Sequence, residues 1–141
     1  LIFKESFFTK GMLQASIKIG DEILKIINVH LNYSSDTNIS NPQWSKIFSS
    51  INGQNNLIFG DFNSDFSDLI LPRGYKIISD TKNPTVEIRN PYSMTTFNKF
   101  HLKQWTCDLI LTNMKCEVIE NKTDNKNIIS DHYLVWTQIK I

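Results

Sequence analysis

The alternation of apolar and polar residues predicts short strands arranged around one amphipathic helix. Two apolar runs, at 12–19 and 22–29, are joined by Gly20 and Asp21, a pattern typical of a β-hairpin. Residues 42–51 repeat apolar side chains at helical spacing, with Ser40 as the predicted cap and Gly53 as the stop. The apolar run 57–59 follows, and the order strand, helix, strand implies a crossover connection within one sheet.

The second half of the chain is predicted to consist of strands separated by loops. A short helix is expected at 64–71, a strand at 75–79, an exposed loop at 80–92 and a short strand at 94–97. Further strands are predicted at 105–112, 116–119 and 133–141, with a polar, mobile segment at 120–127. The sequence shows no repeat and no second domain, so residues 1–141 are expected to form a single domain of the α+β class.

Composition and charge say little about the partner. The formal net charge is +1, so the chain lacks the broad basic field that by itself indicates a nucleic-acid binder. Cys107 and Cys116 fit no metal-ligand spacing and are expected to be free thiols, with a cross-strand disulfide as the alternative. No apolar run reaches the length of a membrane span and no signal-peptide pattern is present, so a soluble chain of unknown compartment is expected.

Asp61 and Asn63 stand where the apolar run 57–59 ends at Gly60. Since side chains alternate along an extended strand, both are expected to point into one pocket beyond the strand end. A carboxylate beside a carboxamide offers a base or metal ligand next to a neutral hydrogen-bond donor. The alternative is an Asx turn, because Asp, Asn and Gly are ordinary turn residues.

Three further ionisable clusters belong to other apolar runs. His30 ends the second run, Asp108 lies inside the run 105–112, and Asp131 and His132 precede the last run. A buried carboxylate is costly unless it is paired, and a histidine whose tautomer it fixes is a natural partner. We therefore predict an Asp108–His132 pair, with Asp131 pointing the other way and free to bind a cation. For His30 alone, a structural histidine at a strand end is the alternative.

A hard divalent cation such as Mg²⁺ suits these clusters. Such ions take few carboxylates together with water and phosphate oxygens. The clusters contain isolated Asp residues and no cysteine ligand, so they fit this preference.

The same segments, in their order and spacing, resemble motifs of the endonuclease/exonuclease/phosphatase superfamily, which has the DNase I-like fold. They are Asn28-Val29-His30-Leu31, Gly60-Asp61-Phe62-Asn63, Cys107-Asp108-Leu109-Ile110 and Ser130-Asp131-His132. The resemblance covers nearly the whole chain. It implies the C-terminal portion of a four-layer α/β/β/α sandwich, an α/β sandwich in which two sheets pack face to face.

The resemblance also implies a divalent-metal-dependent phosphodiester or phosphomonoester hydrolase, with a phosphodiester as the leading substrate. By similarity, Asp61 orients or deprotonates the attacking water and contributes to the metal site together with Asp131. Asn63, His30 and His132 contact the phosphate, and His132 is paired with Asp108. The cofactor that the resemblance implies is Mg²⁺ or Mn²⁺, and the catalytic residues it implies are His30, Asp61, Asn63, Asp108 and His132.

The sequence departs from the family pattern in its N-terminal half. The Asn and the metal-ligand Glu that the family carries there are missing, and the chain opens with Leu1 rather than Met. We therefore expect a half-site that a second polypeptide or a missing N-terminal segment completes, or a degenerate remnant with weak or no catalysis. A half-sandwich would also expose the apolar sheet face that expects a second sheet.

Three interpretations of the function follow from the resemblance. A nuclease acting on DNA or RNA is the leading one. The run Thr9-Lys10-Gly11-Met12-Leu13 resembles the sphingomyelinase-like branch, which makes a phospholipid headgroup the alternative substrate. A non-catalytic binding module that has kept the fold is the alternative from a different class.

Overall fold

A computed structural model describes residues 2–3, 10–31, 42–87 and 104–141, with no account of the side chains of 2, 3, 10, 42 and 87. The strands in chain order are β1 (Ile2–Phe3), β2 (Lys10–Ile19), β3 (Glu22–His30), β4 (Asn56–Asp61), β5 (Lys76–Ile77), β6 (Val86–Glu87), β7 (Gln104–Trp105), β8 (Asp108–Thr112), β9 (Glu117–Asp124) and β10 (Leu134–Lys140). Helix α1 (Pro42–Ser50) precedes β4, and a single 3-10 turn (Phe66–Asp68) follows it.

Six strands form the main sheet in the order β1-β2-β3-β4-β8-β5. Strands β2 and β3 are the predicted hairpin, and Gly20 in its turn has a φ of 60°, a backbone conformation that glycine adopts without strain. Strands β3 and β4 run parallel and α1 lies between them in sequence, which confirms the predicted order strand, helix, strand. The other strands pair as two ribbons, β9 with β10 and β6 with β7.

Helix α1 covers one face of the main sheet because its apolar stripe matches the inward residues of β3, β4 and β8. The stripe consists of Trp44 and Ile47, Ile51 continues it directly after the helix, and all three are buried in one core cluster with residues of these strands. The strand residues of this cluster include Ile27, Val29, Ile58, Leu109 and Leu111. Trp44 also stacks on Phe62 just beyond β4, with ring centroids 4.5 Å apart, so the helix is fixed close to the end of the central strand.

The opposite face of the main sheet carries a second set of apolar residues. Leu13 and Ile17 of β2 point to this face, and their side chains are 72% and 44% exposed. By register, Leu57 and Phe59 of β4 share the same face and are half-buried. One face of the sheet is therefore packed by a helix, and the other presents apolar surface at β2.

The predicted helix at 64–71 is wrong, because only the 3-10 turn Phe66–Asp68 forms there. The Asp65 carboxylate accepts hydrogen bonds from the Ser67 N–H and, on its other oxygen, from the Thr106 N–H. Leu69 after the turn is extended. The side chain of Asp65 thus ties this segment to the chain before β8 instead of capping a longer helix.

The predicted exposed loop at 80–92 is only partly right over its described part, where Lys82 and Asn83 are exposed. Asp80, Thr85 and Val86 are buried, and β6 pairs with β7. The Asp80 carboxylate accepts hydrogen bonds from the Lys82 and Thr123 backbone N–H groups, which explains how a charged residue is buried here. Residues 88–92, the predicted strand at 94–97 and the predicted cap Ser40 lie outside the described residues.

Two strand predictions in the second half need correction. The single strand predicted at 105–112 is two strands, β7 and β8, separated by Thr106 and Cys107. The segment 120–127, predicted to be polar and mobile, belongs to β9 as far as Asp124 and pairs with β10. Backbone pairing does not require apolar side chains, so a strand at the protein surface can be as polar as β9.

Both cysteines are free thiols, as predicted: Cys107 is buried and Cys116 is half-buried. Among the described residues, no helix combines the length and the hydropathy that crossing a bilayer requires.

Candidate active site

The register of the main sheet brings three of the predicted site residues together. His30 ends β3, Asp61 ends β4 directly opposite it, and Asp108 begins β8 opposite Asp61. All three therefore lie on one face and at one end of neighbouring strands, the face that α1 does not cover. Nε2 of His30 lies 3.3 Å from Oδ2 of Asp61, close enough for a charge-assisted contact when the ring is protonated.

Gly60 allows β3 and β4 to approach closely beside this group. Its φ is 135°, and a Cβ built on it would lie 2.0 Å from the Val29 carbonyl oxygen. Only glycine fits both the backbone conformation and the space. The close approach of the two strands therefore requires glycine at position 60, directly before Asp61.

Asn63 folds back onto Asp61 through a turn. Asn63 has a φ of 47°, its backbone N–H donates to Asp61 Oδ1 at 2.7 Å, and its Nδ2 donates to Asp61 Oδ2 at 2.9 Å. The two side chains meet as predicted, but strand alternation is not the reason, because β4 ends at Asp61. The geometry is an Asx turn, which was the alternative to a shared site. The turn itself brings the two side chains together, so both interpretations describe the same contact.

The amide of Asn63 already has two acceptors in the protein. Besides Asp61 Oδ2, its Nδ2 donates to the Leu31 carbonyl oxygen at 2.8 Å. An amide nitrogen carries two protons, so both are in use. Asn63 therefore orients the Asp61 carboxylate, and a phosphate contact from the same nitrogen would have to replace one of these bonds.

Asp108 and His132 form the predicted pair. Nδ1 of His132 lies 2.8 Å from Oδ2 of Asp108, and both side chains are mostly buried. This contact assigns Nδ1 to the carboxylate and leaves Nε2 as the second ring nitrogen. The backbone N–H of His132 also donates to the Ser130 hydroxyl, which stabilises the bend before β10.

The pKa values of Asp61 and His132 are both raised, for different reasons. Burial raises the pKa of Asp61 most, the nearby Asp108 carboxylate raises it further, and hydrogen bonding from Asn63 opposes both effects. Burial lowers the pKa of His132, but the hydrogen bond and charge of Asp108, helped by Asp61 and Asp131, raise it to about 9. At neutral pH, His132 is therefore an imidazolium beside a group of carboxylates.

Asp131 lies in a bend, so the extended backbone from which its orientation was predicted is not present. Its Oδ1 accepts a hydrogen bond from the Ser130 hydroxyl at 3.0 Å, and its side chain is partly exposed. Its charge contributes to the raised pKa of His132, so Asp131 lies close enough to this group to act on it. Asp131 offers a carboxylate oxygen beside the paired residues.

The donor set of the site fits a hard divalent cation in part. The Asp108 carboxylate carries the same charge as Asp61 and raises its pKa. A bound cation would relieve the repulsion between the two carboxylates. The predicted ligands Asp61 and Asp131 each carry a carboxylate, and such ions complete their coordination with water and phosphate oxygens. The side chains described here are therefore compatible with Mg²⁺ or Mn²⁺, provided that other ligands complete the shell.

A different donor set surrounds Cys107. Within the described residues, Cys107 Sγ, Asp108 Oδ2 and His132 Nδ1 form a group whose atoms lie within 4.8 Å of one another. Sulfur and imidazole ligands suit Zn²⁺ better than Mg²⁺. Burial, together with the charges of Asp108 and Asp61, raises the pKa of the Cys107 thiol, so without a metal it stays protonated at neutral pH.

Two residues near the site were missed from the sequence. Asp65 fixes the turn after Asn63 against Thr106, and Thr85 contacts the backbone at Cys107 and Asp108. The signal for Asp65 is its position two residues before Ser67, the spacing of a local side-chain cap. Thr85 gave no signal, because its partners lie more than twenty residues further along the chain.

Comparison with known proteins identifies the fold. Neither family models nor curated proteins give a match to this sequence. Solved structures do match. An endonuclease/exonuclease/phosphatase family protein from Leptotrichia buccalis C-1013-b aligns with 99% of this chain and 59% of its own, at a TM-score of 0.70 and 19% identity.

Two further structures support the same fold. The endonuclease domain of TRAS1, a telomere-specific non-LTR retrotransposon, aligns with 92% of this chain and 64% of its own, at a TM-score of 0.60 and 10% identity. Beta toxin from Staphylococcus aureus aligns with 92% of this chain and 57% of its own, at a TM-score of 0.52 and 16% identity.

The chain therefore has the DNase I-like fold of the endonuclease/exonuclease/phosphatase proteins, as the sequence motifs predicted. It spans less than two thirds of the length of each of these structures. The chain thus matches a part of the α/β sandwich that these structures form.

Proposed function

We propose that this chain carries the half of the active site that contacts the phosphate, in a divalent-metal-dependent phosphodiester hydrolase that acts on nucleic acid. The observation that supports the proposal most strongly is the line of ionisable side chains at one end of the main sheet. His30 contacts Asp61, Asp61 lies opposite Asp108, and Asp108 holds His132. This line combines a base, a cationic ring and a carboxylate that orients the ring.

Asp61 is the proposed base for the attacking water. Its raised pKa makes it a better proton acceptor than an ordinary carboxylate, and Asn63 holds both of its oxygens in place. The water oxygen forms the new bond to phosphorus, its proton passes to Asp61, and the bond from phosphorus to the leaving oxygen breaks. The leaving oxygen takes up a proton from solvent.

His132 is the proposed stabiliser of the charge that develops on the phosphoryl oxygens. Asp108 holds Nδ1, so Nε2 is the ring nitrogen that would face the phosphate. The raised pKa keeps the ring protonated at neutral pH, and a fixed cation near developing negative charge lowers the barrier. His30 is the second proposed phosphate contact, from the opposite side of Asp61.

Asp61 and Asp131 are the proposed protein ligands of the divalent ion. A Mg²⁺ or Mn²⁺ ion held there would supply Lewis-acid stabilisation of the phosphoryl oxygens. The described residues contribute only these carboxylates, so we propose that a further protein segment supplies the remaining ligand. The exposed apolar face at Leu13 and Ile17 supports this, because such a face favours burial against a second sheet.

Hydrolysis of a supercoiled plasmid tests the proposal. The chain is incubated with Mg²⁺, with Mn²⁺ or with chelator, alongside His132→Ala as the control for contaminating nucleases. Metal-dependent nicking that disappears in His132→Ala is the expected result. Nicking that persists in the variant would assign the activity to a contaminant, and no nicking with either ion would contradict catalysis by this chain alone.

A phospholipid headgroup is the second candidate substrate, favoured by the apolar tip of the β2–β3 hairpin. Ile19 and Ile23 flank the turn and are 49% and 56% exposed. Exposed apolar side chains of this kind can insert into the interfacial region of a membrane. Release of phosphorylated headgroups from vesicles, without plasmid nicking, would favour this candidate over nucleic acid. Neither reaction, with an intact fold, would favour a non-catalytic module.

A further inference from the structure

Thr85 is a fully buried residue outside the proposed machinery, just before β6. Its backbone N–H donates to the Trp105 carbonyl oxygen at 2.8 Å, as part of the contact between β6 and β7. Its hydroxyl is also 3.4 Å from the same carbonyl, in a direction suited to donation. Thr85 is thus attached to the chain just before Asp108.

The hydroxyl of Thr85 accepts two backbone hydrogen bonds where β7 and β8 are interrupted. The Cys107 N–H donates to it at 3.1 Å and the Asp108 N–H at 3.2 Å. A hydroxyl has one proton and two acceptor lone pairs, so both lone pairs are in use, and its proton can go to the Trp105 carbonyl oxygen or to Cys107 Sγ, which lies 3.7 Å away. Without it, the N–H groups of Cys107 and Asp108 would lose their acceptor, which is unfavourable for groups that are wholly or partly buried.

The carbonyl oxygen of Thr85 connects the same residue to the other half of the pair. It accepts a hydrogen bond from the Tyr133 N–H at 2.8 Å, and Tyr133 follows His132 directly. Through its hydroxyl Thr85 fixes the backbone of Asp108, and through its carbonyl it fixes the backbone beside His132. One residue therefore sets the distance between two segments that are far apart in sequence.

We propose that Thr85 is the positioning residue of the Asp108–His132 pair. The inference rests on the proposed function for its effect on catalysis, but the geometry of the pair can be measured without any substrate. A misplacement of about 1 Å in a catalytic group can reduce turnover by about 100-fold, so the expected effect is large.

The test compares Thr85→Val with Thr85→Ser. Valine keeps the shape and removes the hydroxyl, whereas serine keeps the hydroxyl and removes the methyl group. Thr112→Val is the matched control, because Thr112 is equally buried and its hydroxyl accepts from the Met114 N–H and donates to the Asn56 carbonyl at the far end of β8. All three variants lose one buried group, but only Thr85→Val removes the hydroxyl that holds the Cys107 and Asp108 N–H groups, while the backbone contact to Tyr133 stays.

The first readout is the Nδ1 proton of His132, observed by NMR as a downfield, slowly exchanging imidazole proton in the hydrogen bond to Asp108. Thr85→Val should lose this signal, while Thr85→Ser and Thr112→Val should keep it. A signal retained in Thr85→Val would overturn the proposal, and so would an equal loss in Thr112→Val. This readout is independent of whether the chain hydrolyses anything.

The second readout is hydrolysis in single and double variants. Thr85→Val should lower kcat by about 10- to 100-fold with little change in KM, and should cost nothing further in an Asp108→Asn background. Additive losses in the double variant would overturn the proposal. If hydrolysis is absent from the unsubstituted chain while the imidazole signal behaves as expected, catalysis by this chain alone is contradicted and the positioning role stands.

A measurement on the unsubstituted chain covers the case in which Thr85→Val does not fold. The backbone N–H groups of Cys107, Asp108 and Tyr133 should exchange slowly with solvent, because each donates to Thr85. Rapid exchange at Asp108 or Tyr133 would overturn the proposal without any substitution.

Discussion

His132 Nδ1 lies 2.8 Å from Asp108 Oδ2, although 24 residues separate the two in sequence. Asp108 begins β8 and His132 lies in the bend before β10, so the contact links the main sheet to the β9–β10 ribbon. The ring nitrogen that the carboxylate holds is fixed, and the other can act on a ligand. The pair is therefore the part of the site whose removal has the clearest expected consequences.

His132→Ala and Asp108→Asn should each reduce phosphodiester hydrolysis by about 100- to 1,000-fold, because a positioned group that stabilises the developing charge contributes this much. Both variants should stay folded, as judged by circular dichroism. Asp124→Asn is the matched control, because Asp124 ends β9, accepts hydrogen bonds from the turn that follows and has no proposed role. Full activity of His132→Ala would remove the pair from the mechanism.

The stability of the chain should fall as pH rises from about 6.5 to about 9. The pKa of His132 is raised from 6.5 to about 9 in the folded state, so the folded chain holds a proton that the unfolded chain releases in this range. The stabilisation is fully present below pH 6.5 and is lost as pH passes 9. At about 1.4 kcal/mol for each unit of pKa, the full contribution is about 3 kcal/mol.

Urea unfolding at intervals between pH 6 and pH 10 measures this dependence. The difference in unfolding free energy between the unsubstituted chain and His132→Ala should be largest at pH 6 and should shrink towards pH 10. A difference that is constant across this range would show that His132 is not held as an imidazolium by its neighbours.

Asp61→Asn should abolish turnover while metal or phosphate binding partly survives. The substitution removes the proton acceptor but keeps a side chain of the same shape that can still accept from the Asn63 backbone N–H. Single-turnover cleavage and phosphate binding, measured on the same sample, separate the two effects. Asp68→Asn serves as the control, because Asp68 is exposed on the 3-10 turn. Unchanged turnover in Asp61→Asn would mean that the site has been misplaced.

The residues of the site could be predicted from the sequence because each cluster follows a local rule. His30 and Asp61 each end an apolar strand, and neighbouring strand ends meet at one edge of a sheet. Asp108 could be paired with His132 because a carboxylate in an apolar segment requires a partner. These arguments need only the order of apolar and polar residues and the cost of burying charge.

The rest of the structure depends on tertiary contacts that leave no local pattern. Thr85 lies in a segment whose prolines and polar residues indicate an exposed loop, yet its acceptors and donors come from β7, β8 and Tyr133. Strand β9 can be polar because its pairing with β10 uses backbone groups. Asn63 meets Asp61 through a left-handed turn that alternation does not describe. In each case, backbone groups rather than side-chain periodicity determine the structure.

Gly60→Ala should destabilise the fold much more than Gly53→Ala. Both glycines have positive φ values, so both substitutions carry a conformational cost of about 1–2 kcal/mol. At Gly53 nothing lies within 4 Å of the added Cβ, whereas at Gly60 the Val29 carbonyl oxygen lies 2.0 Å away. Urea unfolding should therefore show a further loss of about 2 kcal/mol or more for Gly60→Ala. Equal losses would mean that β3 and β4 separate at no cost beside Asp61.

The exposed face of the main sheet should make the isolated chain bind apolar dye and associate. Leu13 and Ile17 lie on the face that α1 does not cover, and both are exposed. An apolar sheet face of this kind is stable when a second layer covers it, whether that layer is another segment or another polypeptide. Light scattering should detect association, and dye fluorescence should exceed that of a typical folded monomer.

Two matched substitutions distinguish the effect of this face from the effect of apolar surface elsewhere on the hairpin. Ile17→Thr should reduce both dye fluorescence and association, because threonine keeps the β-branched shape but carries a hydroxyl in place of the ethyl group of isoleucine. Ile23→Thr is the matched control: Ile23 is 56% exposed, but the pairing of β2 with β3 places it on the opposite face from Ile17. Equal effects of the two substitutions would indicate non-specific adhesion at the hairpin. A monodisperse monomer that binds no dye would contradict the need for a second layer, and the metal ligand missing from the described residues would then have to come from this chain itself.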